Sequence, residues 1–450
     1  MYKIVVTPCG EIKGRIEEGI AKFKGIRYAT SKRWSYPILV KKWDGVLEAF
    51  EYGNCCYQRR AIFDEEKENS FYYREYRKGL SYSYSEDCLF LNVFTPEYST
   101  KESKLPVIVY IHGGSFRSCS ANELCFMDPI WPKKDVIAVT INYRLGLLGF
   151  GCFQGGIDEE GFTGNYGLAD QICALEWIKE NIESFGGDPS NVTIMGQSAG
   201  AMSLQALCFS PLAEPLFHKA VMISGGGIHK LMSLKPSLSK MPLFEKLYQA
   251  TGCKNFEELR NYDVVDLFKK YYQLCENNKG MGMIGIPYID GRILIDNQFN
   301  MLNKISNKPY LIGTTSDDIM PLILYSMAKK WCLLQDKKEF APSYLWMFNR
   351  KLPGDDSGSF HCADMWYWFG TLGNAWRKFA KEDFELSDVM ISYLCNFAKS
   401  GNPNKEGLTE WLPISRKQKL PINFDINKVE MKKVDTLSLF FKMFKRPVGF

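Results

Sequence analysis

The residues best suited to chemistry in this sequence stand at Gly196-Gln197-Ser198-Ala199-Gly200, after the apolar run Val192-Thr193-Ile194-Met195 and before a helix-like stretch. A serine on a strand-to-helix turn can serve as a nucleophile. Flanking glycines permit the tight turn, and the helix start aims N–H groups at an anion forming beside it. The string alone fits an ordinary glycine-rich connection equally well. A hydroxyl becomes a useful nucleophile only when a base takes its proton, and the chain has four histidines: His112, His218, His229 and His361. His112 ends an apolar run before a glycine pair, His218 begins another such run, and His229 has no polar constellation around it. His361 follows the strand-like "SYLWMFNR" and a polar loop, so elimination favours it. A carboxylate between serine and histidine in the chain would hold the imidazole in its reactive tautomer. Asp317 and Asp318, just past an apolar run, both qualify, and the competing reading for one of them is the cap of a helix beginning at Ile319. Finally, "YIHGGSF" (110–116) places Gly113-Gly114 after a strand. That is the form of a loop that offers backbone N–H groups to an oxyanion, with Ser115 where a third glycine is usual.

Elements able to position these groups are legible around them. "PVIVYIH" (106–112) and "DVIAVTINY" (135–143) are nearly continuous apolar runs, as in strands buried on both faces. "NVTIMG", "HKAVMISGG" (218–226) and "KPYLIGTT" (308–315) read as further strands. The spacing of Leu168, Ile172, Leu175, Ile178 and Ile182 predicts a helix within 166–187 that Gly186-Gly187 ends. "SAGAMSLQALCFS" predicts another. Strands alternating with helices predict an α/β chain whose mostly parallel sheet has helices on both faces. The opening third reads as β in "KIVVT", "AKFKGIRYA" and "LFLNVFTP". From about 233 to 300 the pattern turns helical and more polar, which reads as a helical insertion within a single domain covering 1–450. A last helix is expected over "LSDVMISYLCNFAKSGNPN".

Composition narrows the function classes. A chain of 450 residues, 46% hydrophobic, can bury a large core, and its net charge of +5 includes no long Lys/Arg run. That argues against a nucleic-acid binder. No apolar stretch approaches the ~20 residues of a membrane span, and the N-terminus lacks a secretory pattern. The expectation is a cytoplasmic protein with no nucleic-acid or membrane partner. Fourteen cysteines without a C-x-x-C spacing read as scattered thiols rather than a zinc site, so neither metal nor cofactor is expected.

The whole chain resembles the type-B carboxylesterases, the family of para-nitrobenzyl esterases, animal carboxylesterases and cholinesterases. "FKGIRYA", "SEDCLFLNV", "INYRLGLLGF", "GNYGLADQ" and "FGGDPSNVTIMGQSAG" carry the resemblance, in family order. It implies an α/β-hydrolase fold with a helical insertion over the active site, and hydrolysis of small-molecule esters. By position it implies Ser198 as nucleophile, His361 as base and Asp318 as acid. It also implies oxyanion donors at Gly114, Ser115 and Ala199, with Ser224 and Gln197 as supporting residues. The sequence departs from the family where Asp318 stands for a usual glutamate, and where Ser115, Ile319 and Cys362 stand for glycines. In secreted relatives the cysteine of S-E-D-C-L pairs with an upstream one, matching Cys88 and Cys56; two free thiols are expected here. "FYYREYRKGLSYSY" (71–84) reads equally as a pocket-lining segment and as a solvated loop. Two rival functions stay open: a non-catalytic adhesion module, and a hydrolase of amides, lactones or thioesters.

Overall fold

The apolar runs assemble into one sheet. The computed structural model describes residues 1–63, 70–229, 234–236, 239, 241–277, 285–297 and 299–444. Among them, thirteen strands share this sheet: β1 (Tyr2–Thr7), β2 (Gly10–Glu17), β3 (Ile20–Arg27), β4 (Val46–Glu48), β5 (Phe90–Pro96), β6 (Leu105–Ile111), β7 (Ile137–Ile141), β8 (Gly187–Gln197), β9 (Lys219–Ile223), β10 (Tyr310–Thr315), β11 (Ser343–Phe348), β12 (Ile422–Phe424) and β13 (Glu430–Met431). Their spatial order is β1-β2-β3-β5-β7-β6-β8-β9-β10-β11-β12-β13, with β4 on the side of β2. From β7 to β12 every pairing is parallel. Outside that stretch the neighbours in this order pair antiparallel, and β4 pairs parallel with β2.

The central strands are apolar on both faces because helices cover both. Alternate residues of a strand point to opposite faces, and β6 divides accordingly. Val107, Val109 and Ile111 pack in one core with Trp177 of α2 (Tyr166–Asn181) and with Leu204 and Leu207 of α3 (Ala199–Phe209). Ile108 and Tyr110 pack in the other with Met390, Leu394 and Phe397 of a late helix, Lys381–Ser400. α2 passes into a 3-10 turn that stops at Gly186, whose φ of 92° is the left-handed value expected of a terminating glycine.

Between β9 and β10 the described residues form three short α-helices, Met241–Phe244, Lys246–Thr251 and Phe256–Arg260, then α4 (Val264–Asn277) and a 3-10 helix, Asn300–Lys304. Within the predicted helical stretch 233–300, residues 233, 237, 238, 240, 278–284 and 298 lie outside the described residues. Three elements differ from expectation. After β10 comes α5 (Pro321–Lys337), which begins at Pro321 with Met320 as its N-cap, so neither Asp317 nor Asp318 caps it. The late helix, α6, starts at Lys381 rather than Leu386 because Asp383 reaches back to the Ala380 N–H (3.0 Å), and it stops at Gly401. Residues 71–76, read as a loop, form a short helix, α1 (Phe71–Tyr76), capped by Ser70. All fourteen cysteines are free thiols, Cys56 and Cys88 among them. Among the described residues no helix is long and apolar enough to cross a membrane.

Candidate active site

β8 runs directly into α3, and Ser198 is the residue between them. Its φ of 56° and ψ of −121° lie where a non-glycine residue is strained and persists only because its surroundings impose it. Two hydrogen bonds do so: its N–H donates to Ile223 of β9 (2.8 Å), and its carbonyl accepts from Met202 in the first turn of α3 (3.0 Å). The turn sits tight against the end of β6, since a Cβ on Gly200 would overlap the Ile111 carbonyl oxygen.

The two candidate aspartates follow β10, and their side chains diverge. Asp318 Oδ1 lies 2.6 Å from His361 Nδ1 and accepts the Ile319 N–H at 2.8 Å. Its Oδ2 accepts from Ser224 Oγ (2.6 Å), Thr314 Oγ1 (2.7 Å) and Thr315 Oγ1 (3.0 Å). Burial pushes this carboxyl upward. The facing His361, with the hydroxyls of Ser224 and Thr314, outweighs that effect and holds it at about 2. Asp318 is therefore an ionised acceptor, and His361 carries its proton on Nδ1. Asp317 turns the other way, accepts the Ser359 N–H (3.0 Å) and pairs with Lys442 (2.9 Å). Its backbone bridges Phe360, so it clips the acid loop to the loop bearing His361.

His361 Nε2 faces the carboxamide nitrogen of Gln197 at 3.1 Å. Ser198 Oγ makes no hydrogen bond among the described residues, although Ser198 and His361 line the same cavity. The other histidines lie elsewhere. His112 is buried, stacks on Tyr143 with ring centroids 4.5 Å apart, and is pushed down to about 4 by burial. His218 Nδ1 accepts the Val192 N–H (3.1 Å).

The loop after β6 turns through three consecutive left-handed residues: Gly114 (φ 85°), Ser115 (φ 56°) and Phe116 (φ 60°). The Gly114 carbonyl accepts from the Arg117 and Ser118 N–H groups, and the Phe116 carbonyl from Gly146. These bonds fix a backbone that Ser115 and Phe116 would not otherwise adopt. The N–H groups of Gly114, Ser115 and Ala199 donate to no other group among the described residues. Gly114 and Ser115 line the same cavity as Ser198, which Ala199 follows in the chain.

That cavity, about 380 Å³, has Gly114, Ser115, Ser198 and His361 on its floor. Tyr72 and Tyr76 of the helix Phe71–Tyr76 and Tyr272 of α4 supply aromatic wall, and Arg60, Arg77 and Glu123 a polar side. Glu123, fully buried, sits 2.8 Å from Arg60. The helix Phe71–Tyr76 is bound to the His361 segment in two ways. Tyr76 donates its hydroxyl to the Cys362 carbonyl (2.8 Å). Glu75 accepts from Arg377 (2.9 Å), Trp366 (2.9 Å) and Trp376 (2.9 Å). Asp364, three residues beyond His361, is buried too. Burial and, after the Trp368 N–H that lowers it, the nearby charge of Asp318 leave it pushed up to about 7. The sequence signals for Glu75 and Arg377 are absent, because their partners are distant in the chain. Thr314 and Thr315 could have been found as hydroxyls four and three residues before Asp318.

Residues 2–344 and 332–438 match the model of the carboxylesterase family. The chain is 30% identical to the para-nitrobenzyl esterase of Bacillus subtilis (strain 168), over 90% of this chain and 92% of that one. It is 28% identical to liver carboxylesterase 1 of Oryctolagus cuniculus, over 91% and 87% respectively. Among solved structures it superimposes on a thermophilic PNB esterase with a TM-score of 0.84 and on a PNB esterase with 0.81, each 28% identical, covering 99% of this chain and all of theirs. The fold is that of the α/β-hydrolases, and the chain belongs to the carboxylesterase family of carboxylic ester hydrolases.

Proposed function

We propose that the chain hydrolyses small-molecule carboxylic esters through an acyl-enzyme on Ser198, with His361 as general base, Asp318 as its acid and one catalytic domain as the working unit. The observation that carries this reading is that His361, paired with buried Asp318, lines one cavity with Ser198. An ester would place its carbonyl oxygen toward the N–H groups of Gly114, Ser115 and Ala199. Ser198 Oγ attacks the carbonyl carbon while His361 Nε2 takes its proton, and Asp318 stabilises the resulting imidazolium. Collapse of the tetrahedral adduct expels the alcohol, which leaves with the proton from Nε2. Water, deprotonated by the same nitrogen, then attacks the acyl carbon and restores Ser198. The residue after the nucleophile donates through the first N–H of α3, where the helix dipole favours a negative charge.

Tyr72, Tyr76 and Tyr272 favour an ester with an aryl or otherwise apolar portion. The free thiols suit a reducing, cytoplasmic setting. The test is hydrolysis of para-nitrophenyl acetate by the wild type and by Ser198→Ala, with circular dichroism to verify that both are folded. Loss of nearly all turnover in a folded variant supports the reading. Turnover within tenfold of wild type overturns it.

A further inference from the structure

The carboxamide of Gln197 has a place in this site that the triad does not require. It lies 3.1 Å from His361 Nε2, the atom that has to receive the Ser198 proton. The direction of that hydrogen bond follows from the other side of the ring. Nδ1 faces Asp318 Oδ1 at 2.6 Å, and that carboxylate is already an acceptor for the Ile319 N–H. The proton of a neutral ring is therefore on Nδ1, leaving Nε2 an acceptor, and among the described residues the group within hydrogen-bond distance of it is the amide N–H of Gln197. Gln197 is itself buried, held at the end of β8 beside Gly113. A Cβ on Gly113 would stand 2.9 Å from Gln197 Oε1, so the glycine leaves the room the carboxamide occupies.

We infer that Gln197 is a positioning residue for His361: in the substrate-free enzyme it donates to Nε2 and fixes the Nδ1–H tautomer until Ser198 takes its place as donor. The inference rests on the proposed serine mechanism only for its kinetic consequence. The hydrogen bond itself can be read without activity. An amide donor favours the neutral ring. A carboxylate at the same point can only accept, and so favours the doubly protonated ring. Other ionisable groups face this imidazole: Asp318 from the loop after β10, Asp364 on its own segment, and beyond Cys362 the Glu123–Arg60 pair. All of these are retained when only Gln197 is changed.

The experiment compares wild type, Gln197→Glu and Gln197→Met by 15N NMR of histidine-labelled protein, the His361 signals being assigned with His361→Gln. With four histidines in the chain, the spectrum is small enough to assign by subtraction. In the wild type, Nδ1 should be the protonated nitrogen and Nε2 the bare one at pH 8. In Gln197→Glu, Nε2 should hold its proton to a pH higher by about one unit or more, with Gln197→Met between the two. The acid limb of kcat/KM should move in the same order. An Nε2 titration that is identical in all three proteins overturns the inference. If the three differ as expected but Ser198→Ala keeps its activity, the proposed mechanism fails and the assignment of Gln197 stands.

Discussion

Asp318→Asn exchanges a carboxylate for a carboxamide of the same shape at the buried end of the acid–imidazole pair. The surroundings decide how the amide sits. Oδ1 accepts the Ile319 backbone N–H, a donor that cannot turn round, whereas the groups at Oδ2 are mainly hydroxyls that can. The amide oxygen is therefore held at the Oδ1 position, His361 keeps its tautomer, and what is lost is the negative charge. For charges about 4 Å apart at an effective dielectric near 20, that charge stabilises the imidazolium by about 4 kcal/mol. Each ~1.4 kcal/mol is a factor of ten in rate, so kcat/KM should fall about a thousandfold. Asp317→Asn keeps an oxygen for the Ser359 N–H and should cost less than about tenfold, since it removes only the partly exposed pair with Lys442. The assay is steady-state hydrolysis of para-nitrophenyl acetate at pH 8 with both variants. Equal losses, or an Asp318→Asn enzyme within tenfold of wild type, would refute the assignment of the acid. The same carboxyl also shapes acid stability. Its folded value near 2 lies below the ordinary 3.8, so its contribution of about 2 kcal/mol is present above pH 4 and lost as pH falls toward 2. Urea titrations across that window should show a shallower slope in Asp318→Asn than in wild type, the remainder coming from other lowered carboxylates such as Asp355 and Asp383.

Asp364 should behave in the opposite sense. With a folded value of about 7 against an ordinary 3.8, the stability it contributes is complete below pH 4 and fades as pH rises to 7. Asp364→Asn should then exceed wild type in unfolding free energy at pH 8 by at most about 4 kcal/mol; a wild-type advantage at pH 8 would contradict this. Glu75→Gln removes the charge facing buried Arg377 and should destabilise by about 3 kcal/mol, measured by urea unfolding, with a change below 1 kcal/mol counting against the network. Gly200→Ala forces a methyl onto the Ile111 carbonyl and should cost about 3 kcal/mol with loss of activity; a neutral thermal shift would show that the turn has slack.

The central strands were legible because burial on both faces leaves no polar alternation to confuse the reading: every residue of β7, β9, β10 and β11 is buried. α5 was offered from the sequence only as a competing reading, two residues too early at Ile319, and the helix Phe71–Tyr76 was read as a loop because its aromatic and charged residues mix within two turns. Ser198, His361 and the glycine loop of the proposed site stand out by residue type and order. Asp317 and Asp318 could not be separated from the residues themselves, because adjacent side chains on a loop can exchange roles; the resemblance chose Asp318. The bridge of Asp317 to Phe360 turns one carboxylate outward and the other to the ring. Glu75, Arg377 and the bond from Gln197 to His361 depend on contacts between distant segments, and no local pattern announces them.

The most direct test of the account is covalent capture of the nucleophile. An aryl phosphonofluoridate offered to the folded protein should add once, by displacement of fluoride, and peptide mass mapping should place the adduct on Ser198. Ser198→Ala should take up none, and His361→Gln should react far more slowly. An adduct on another residue, or equal labelling of Ser198→Ala, would contradict the claim that Ser198, activated by His361, is the centre of this site.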